Sequence, residues 1–408
     1  MNAAASSFPE PSSAPSSTPG PEPVLDLVFI PEFQMLLDCC SKISERERTE
    51  RIQRLVSGGF DWDEMLRLAQ HHRLVPRVYE QLSGFDAVPL KFLEKLRVRY
   101  QANARRALWF TGELIRIMTH FESRGIPALP YKGPTLAETL YADVTTRQFG
   151  DLDLLVHATD VPKATAALFD LGYKSSFPLT ERQQRDYLAS GYEYTFNSTQ
   201  GRNLVELKWQ ILPRFYSIEF AVEAMVDRAA VVSLGGQELR TLCAEDLVIV
   251  LCVHAAKHAW SQLSWLCDLT QLAKQTLEWN AIEKQSTDLG IERIVAVNFL
   301  LAHKLLGASL PELVEKSIAR DRSIEVLAGE ILPIIAESKE YNTESMGYFR
   351  LTMKLRERSR DRIRFLWRLA CTPTAGDWAA VRLPAPLFPL YRLVRMFRLG
   401  GKLLGRRG

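Results

Sequence analysis

The segment LPYKGPTLAETLYADVTTRQFGDLDLLV, residues 129–156, predicts the organisation of the rest of the chain. It reads as the end of a strand, a glycine turn, a helix, a loop and a second strand. Asp151 and Asp153 begin the second strand, so both carboxylates point to one face while Leu152 points into the core. Two like charges so placed repel each other unless a cation lies between them. Oxygen ligands with no Cys or His close in sequence suit Mg²⁺ or Mn²⁺.

A glycine turn precedes the predicted helix. Gly133 lets the backbone approach a ligand closely, and Pro134 is favourable in the first turn of a helix. A helix N-terminus next to Lys132 is a suitable phosphate site. A phosphate site beside a metal-binding carboxylate pair is the arrangement used in phosphoryl or nucleotidyl transfer.

These residues resemble the polymerase-β-type nucleotidyltransferase superfamily, in which a glycine turn and a short helix precede Asp-x-Asp on a strand. The segment is still more similar to a bacterial family of uncharacterised nucleotidyltransferases, whose turn reads Lys-Gly and which has an arginine shortly before Asp-x-Asp. The matching residues are Lys132, Gly133, Arg147, Asp151 and Asp153. The usual Gly-Ser turn of the superfamily is Gly-Pro here. The resemblance implies that Lys132 and Gly133 hold a triphosphate and that Arg147 steadies the loop or a phosphate.

A second pair of alternating strands is predicted at residues 192–196 and 204–209. The superfamily places a third carboxylate on such a strand, and Glu206 is the candidate. Where the close family more often has Asp-Leu-His-Trp, this chain has Glu-Leu-Lys-Trp. Lys208 shares a face with Glu206 and is a candidate phosphate contact. The alternative interpretation is an exposed Glu-Lys face on an edge strand.

His254 and His258 are four residues apart and therefore share one helix face. This spacing allows a zinc site if Asp268 supplies a third ligand. The close family has a similar His-x-x-Lys-His-x-Trp stretch, which implies instead a wall of the nucleotide or acceptor pocket made by His254, Lys257, His258 and Asp268. The third interpretation is simple packing of two helices.

Basic and acidic residues are distributed unevenly along the chain. Residues 350–408 contain 15 Lys/Arg and 3 Asp/Glu, which leaves 36 basic and 45 acidic residues in the remainder. The last helix is amphipathic and carries Arg392, Arg395 and Arg398. It is either a solvated face, a contact to an anionic membrane surface, or, less favoured, a contact to nucleic acid. No apolar run is long enough to span a membrane. The six cysteines show no metal or redox spacing, so reduced thiols in the cytoplasm are expected.

We therefore expect an α+β protein with a small mixed-sheet nucleotidyltransferase core flanked by large helical regions. The predicted segments are a disordered tail (1–23), a helical region (24–124), the core (125–240), a helical domain (241–345) and a basic tail (346–408). The expected activity is Mg²⁺-dependent transfer of a nucleoside monophosphate from an NTP to an unknown hydroxyl. The alternative is a non-catalytic nucleotide-binding or interaction protein. The predicted catalytic and metal residues are Asp151, Asp153 and Glu206, and the predicted nucleotide contacts are Lys132, Gly133, Arg147, Lys208, His254 and His258.

Overall fold

The computed structural model describes residues 29–176, 181–198, 204–338, 341–342, 345–373, 375–381, 383, 387 and 390–404. The predicted N-terminal tail, residues 1–23, lies outside this range. The helices are α1 (Pro31–Cys40), α2 (Glu45–Ser57), α3 (Trp62–His71), α4 (Val75–Leu82), α5 (Leu90–Ser123), α6 (Gly133–Tyr141), α7 (Val161–Asp170), α8 (Glu181–Ser190), α9 (Val222–Asp227), α10 (Ala244–Lys257), α11 (Ser264–Leu272), α12 (Trp279–Leu289), α13 (Glu292–Leu306), α14 (Glu312–Arg320), α15 (Ser323–Glu337), α16 (Met346–Lys354), α17 (Ser359–Cys371), α18 (Ala375–Ala380) and α19 (Tyr391–Leu404). The strands are β1 (Ala128–Pro130), β2 (Leu152–Val156), β3 (Tyr173–Ser175), β4 (Glu193–Ser198), β5 (Leu204–Lys208), β6 (Ala230–Leu234) and β7 (Gln237–Thr241).

The strands form one five-stranded sheet in the order β1-β2-β5-β4-β3 and a separate hairpin of β6 and β7. Strands β2 and β5 run parallel, whereas β1, β4 and β3 pair with their neighbours antiparallel. This arrangement, in a mostly helical chain, confirms the small mixed sheet and the α+β class. The division of the chain into five segments remains a prediction.

Each face of the sheet packs against a different layer of helices. Leu152 and Leu154 of β2 belong to a core with α5 and α7. Leu155, which points to the other side, belongs to a larger core of helices drawn from both ends of the chain, including Leu36 of α1 and Phe299 of α13. The face that carries the predicted aspartates is therefore covered by helices from both flanking regions.

A buried histidine joins three distant segments of that helical layer. His72, directly after α3, accepts a hydrogen bond at Nδ1 from the backbone N–H of Leu263 (3.0 Å). Its other nitrogen, Nε2, then carries the proton and donates to Ser338 Oγ, just past α15 (2.7 Å). The His72 side chain is completely buried. Burial lowers the pKa of His72 to about 3, so the ring is neutral near pH 7.

In the part of the chain that the structure describes, no helix is both long enough and apolar enough to cross a lipid bilayer. All six cysteines are free thiols.

Replacing His72 with alanine is expected to lower the free energy of unfolding by about 3 kcal/mol near pH 7, because a buried ring is lost and the Leu263 N–H loses its acceptor. The pKa of His72 is lower in the folded state than its ordinary value of 6.5, so its contribution is complete above that value. The contribution is lost as the pH falls toward about 3, because the unfolded chain binds the proton first.

Urea unfolding at several pH values should therefore show that the difference in unfolding free energy between wild type and His72→Ala becomes smaller in acid. His157→Ala, at a partly exposed ring, is the control and should cost less. A difference that stays constant from about pH 7 to about pH 4.5 would contradict this account.

Candidate functional site

Three carboxylates converge where β2 and β5 lie side by side. Asp153 is directly opposite Glu206 in the parallel pair, and Asp151 lies two residues before Asp153 on the same side. One carboxylate oxygen from each of the three lies within 4.8 Å of the others. The structure therefore brings together the three acids that the sequence analysis assigned to one site.

Burial and mutual repulsion act on these acids. Burial raises the pKa of Asp151, and the neighbouring Asp153 raises it further. Burial likewise raises the pKa of Glu206 to about 7, with Asp153 and Glu193 contributing. Burial also acts to raise the pKa of Asp153, but the ammonium groups of Lys132 and Lys208 lower it below its usual value. Converging, partly desolvated oxygen ligands of this kind fit a hard divalent cation such as Mg²⁺ or Mn²⁺.

Lys208 lies inside this acidic cluster. Its Nζ atom is 3.3 Å from Asp153 Oδ1 and 2.6 Å from Glu206 Oε2, and it donates a hydrogen bond to Glu193. Only 4% of the Lys208 surface is exposed. The alternative of an exposed Glu-Lys face on an edge strand is wrong, because β5 lies between β2 and β4 in the sheet.

The sequence analysis missed Glu193. This residue begins β4 and is directly opposite Lys208 in the antiparallel pair of β4 and β5. A charged residue between the aromatic residues Tyr192 and Tyr194 was the available signal. Its partner became visible only with the order of the strands.

The glycine turn lies against the first aspartate. Gly133 begins α6 with a φ of +57°, a conformation that favours glycine. A Cβ atom at this position would lie 3.1 Å from the backbone oxygen of Asp151. Lys132, at the N-cap, places its Nζ 3.7 Å from Asp153 Oδ2. The N-terminus of α6 and the carboxylates therefore border the same space.

The histidines of α10 form an aromatic group with Trp265. The ring centroids of His254 and His258 are 4.7 Å apart, and those of His254 and Trp265 are 5.2 Å apart. His254 accepts a hydrogen bond at Nδ1 from Lys132 Nζ (3.1 Å). Burial lowers the pKa of both histidines, helped by Lys132 at His254 and by Lys257 at His258, where the pKa falls to about 3. Both rings are therefore neutral near pH 7.

Asp268, the third ligand of the zinc interpretation and a predicted part of the pocket wall, pairs with Arg147 and Tyr141 instead. Its carboxylate accepts hydrogen bonds from Arg147 Nε (3.0 Å) and Nη2 (2.9 Å), and from the hydroxyl of Tyr141 (2.9 Å). Within the described residues, the group of acids and histidines close enough to share a metal is the acidic one, and it contains neither His254 nor His258. The zinc interpretation is therefore wrong for this structure.

The same ion pair changes the interpretation of Arg147. The Arg147 side chain is 11% exposed and Asp268 is 1% exposed, so the pair is almost completely removed from water. Through its ion pair with Asp268, Arg147 thus connects the loop before β2 to α11. In this structure its guanidinium faces a carboxylate, although the residue lines the site.

These groups surround a cavity of about 560 Å³ between the sheet and the helical layer. Arg73, Lys257 and Tyr341 also line it, and the sequence analysis did not single out Arg73 or Tyr341 as site residues. Arg73 directly follows the buried His72 and has a positive φ of 56°. Burial lowers the pKa of Arg73, while the charge of Asp151 acts in the opposite direction. Burial and the charge of Lys208 lower the pKa of Lys257 to about 8.

Comparison with known proteins gives one family. The family described as "Uncharacterised nucleotidyltransferase" matches residues 58–307, which is more than half of the chain. A comparison with curated proteins finds no significant match. A solved structure, an antigenic nucleotidyltransferase-like protein from Paracoccidioides brasiliensis, covers 47% of this chain and 90% of its own, at 13% identity and a TM-score of 0.27. That similarity is too weak to support a conclusion about fold or function. By the match over residues 58–307, the chain belongs to the uncharacterised nucleotidyltransferase family.

Proposed function

We propose that this protein is an Mg²⁺-dependent nucleotidyltransferase of the polymerase-β type, which moves a nucleoside monophosphate from an NTP to a hydroxyl acceptor. The observation that carries the proposal is the convergence of Asp151, Asp153 and Glu206 beside the turn at Gly133. Membership of a nucleotidyltransferase family supports the class of reaction. A cytoplasmic location and a bacterial source remain predictions from the sequence.

In this proposal the three carboxylates hold the divalent ion. The ion, when bound, neutralises charge on the phosphates and lowers the pKa of the acceptor hydroxyl. Lys132 and the backbone N–H groups at the start of α6 bind the triphosphate, since a helix N-terminus favours negative charge. Lys132 is suited to this because its Nζ already lies near both Asp153 and His254.

The remaining predicted contacts take supporting roles. His254 orients Lys132 through the hydrogen bond to its Nδ1. His258 and Trp265 supply a neutral, flat wall against which a nucleoside or an acceptor packs. Arg147 acts as a positioning residue by holding the loop before β2 on Asp268. Lys257, near the ring of Tyr192, adds a third ammonium group to the cavity wall, beside those of Lys132 and Lys208.

The alternative is a protein that binds nucleotide without transferring it. It is favoured by Lys208, whose ammonium group contacts two of the three proposed metal ligands. The two functions differ in their dependence on metal and in whether a labelled product forms.

Replacing Asp151 and Asp153 together with asparagine is expected to abolish the Mg²⁺-dependent part of NTP binding, because the oxygen ligands lose their charge. Isothermal titration of each NTP with and without Mg²⁺ measures this part. Transfer is measured with α-labelled nucleotides, Mg²⁺ and cell extract, and the double variant should form no labelled product. Asp227→Asn with Glu238→Gln is the matched control, since both acids are exposed and lie outside the site. Equal, metal-independent binding by wild type and the double variant, with no labelled product, would reject the enzyme and favour the non-catalytic binder.

We also propose that the basic tail contacts an anionic membrane surface. Helix α17 exposes Ile363 and Trp367, and α19 exposes Leu393, Met396 and Phe397, with Phe397 79% exposed. Arginines adjoin both apolar stripes, at Arg364 and Arg392, which are exposed. Apolar side chains flanked by arginine suit the boundary between lipid headgroups and acyl chains better than they suit a nucleic acid backbone.

Not all three arginines of the last helix are available for this contact. Arg398 donates a hydrogen bond to the buried carboxylate of Asp377, and Arg395 Nη1 lies 3.8 Å from the same group. Arg395 also donates through Nε to the backbone oxygen of Leu369 in α17 (3.2 Å). These two arginines therefore join the C-terminal helices to each other, and Arg392 faces solvent.

Replacing Trp367 and Phe397 together with serine is expected to reduce binding to vesicles of phosphatidylcholine and phosphatidylglycerol by at least about tenfold, because two large apolar groups no longer insert. Co-sedimentation measures the bound fraction at low and at high salt. The control is Leu90→Ser with Phe169→Ser, which removes exposed apolar groups elsewhere. Unchanged vesicle binding by the tail variant, or wild-type binding to RNA but not to vesicles, would reject the membrane proposal.

A further inference from the structure

The ammonium group of Lys208 occupies a position where a second cation would be expected. Enzymes that transfer phosphoryl or nucleotidyl groups often use two divalent ions, about 3.5–4 Å apart, that share carboxylate ligands. Asp153 and Glu206 are the acids from neighbouring strands that would be shared. The Lys208 Nζ lies within 3.3 Å of an oxygen of each.

The position of Lys208 follows from the sheet. Register places Lys208 two residues after Glu206 on the same face of β5, and directly opposite Glu193 of β4. Glu193 accepts a hydrogen bond from Nζ, and the ring of Tyr192 lies 5.4 Å from it. With 4% of its surface exposed, Lys208 is almost completely buried, and it borders the cavity.

A divalent ion on the same oxygens would face this ammonium group at close range. In a partly buried site with an effective dielectric constant of about 20, two like unit charges 4 Å apart repel by about 4 kcal/mol, and a divalent ion doubles that value. A second ion therefore binds there only if Lys208 leaves, and its buried surroundings oppose that.

The formal charges agree with a single ion. Four carboxylates meet here, and the ammonium groups in contact with them belong to Lys132 and Lys208. Counted against these two contacting ammonium groups alone, the four carboxylates leave two formal negative charges, which one divalent ion would balance. The four carboxylates are those of Asp151, Asp153, Glu193 and Glu206.

We propose that Lys208 is a built-in cation that replaces one of the two divalent ions of a two-metal site, so that the three carboxylates of the proposed metal site hold a single Mg²⁺ or Mn²⁺. The inference rests on the metal site of the proposed function. It assigns the ion to the side of the cluster near the turn at Gly133, where the triphosphate is proposed to bind.

The test counts metal ions rather than activity. Wild type and variants are dialysed to equilibrium with Mn²⁺ and a mixture of the four α,β-methylene ribonucleoside triphosphates, and bound Mn²⁺ is measured per chain. Electron paramagnetic resonance then detects spin coupling between two neighbouring Mn²⁺ ions. Wild type and Lys208→Arg should bind one ion and show no coupling. Lys208→Met should bind a second ion and show the coupled spectrum.

Lys257→Met is the matched control, because Lys257 is a buried ammonium group of the same cavity that lies against Tyr192. It should bind one ion, as wild type does. Removal of Lys208 leaves three acids without their shared partner, so Mn²⁺ should raise the unfolding temperature of Lys208→Met more than that of wild type.

Two ions in wild type would overturn the inference and leave the proposed function intact. One ion in a folded Lys208→Met would overturn it as well. No ion in wild type would overturn the inference together with the metal site of the proposed function. If Lys208→Met fails to fold, the wild-type count and the absence of spin coupling still decide the question.

Discussion

The parallel pairing of β2 with β5 is the constraint on which the site depends, because it forces acidic side chains into one small volume. Two like charges about 5 Å apart, at an effective dielectric constant of about 20, repel by about 3 kcal/mol. The chain offsets this cost with the ammonium groups of Lys132 and Lys208. Both ammonium groups lie within 3.7 Å of a carboxylate oxygen of the cluster, and the acids still outnumber them, which suits a site that holds a divalent ion.

The features of this site that depend on residues close in sequence were predicted correctly. Alternation along residues 151–155 was sufficient to place both aspartates on one face, and the position of Gly133 before a helix was sufficient to indicate a turn. The shared face of the aspartates and the turn at Gly133 are both determined by residues close in sequence. The hydrophobic periodicity of a sequence carries information about such local structure. The small mixed sheet followed from the resemblance, and the structure confirmed it.

The features of the site that the sequence did not predict are contacts between residues that are distant in sequence. The environment of Lys208 could not be inferred because an edge position for β5 remained open as an alternative. Periodicity predicts neither the position of β5 between β2 and β4 nor the register that places Glu193 opposite Lys208. The pairing of Arg147 with Asp268 joins residues 121 positions apart, and no local pattern reports on such a distance. Arg73 reaches the cavity from the end of α3, in a region whose pattern indicated only packing.

The helical layer has a consequence for how this protein can be divided. His72 bonds to a backbone N–H near residue 263 and to a hydroxyl at residue 338, and α1 contributes buried side chains to the same core. The family match, residues 58–307, therefore ends inside a packed unit on both sides. A fragment cut at those limits would expose the interior of the layer that roofs the cavity. A truncated protein that keeps the cavity enclosed must therefore retain helices beyond both limits of the family match.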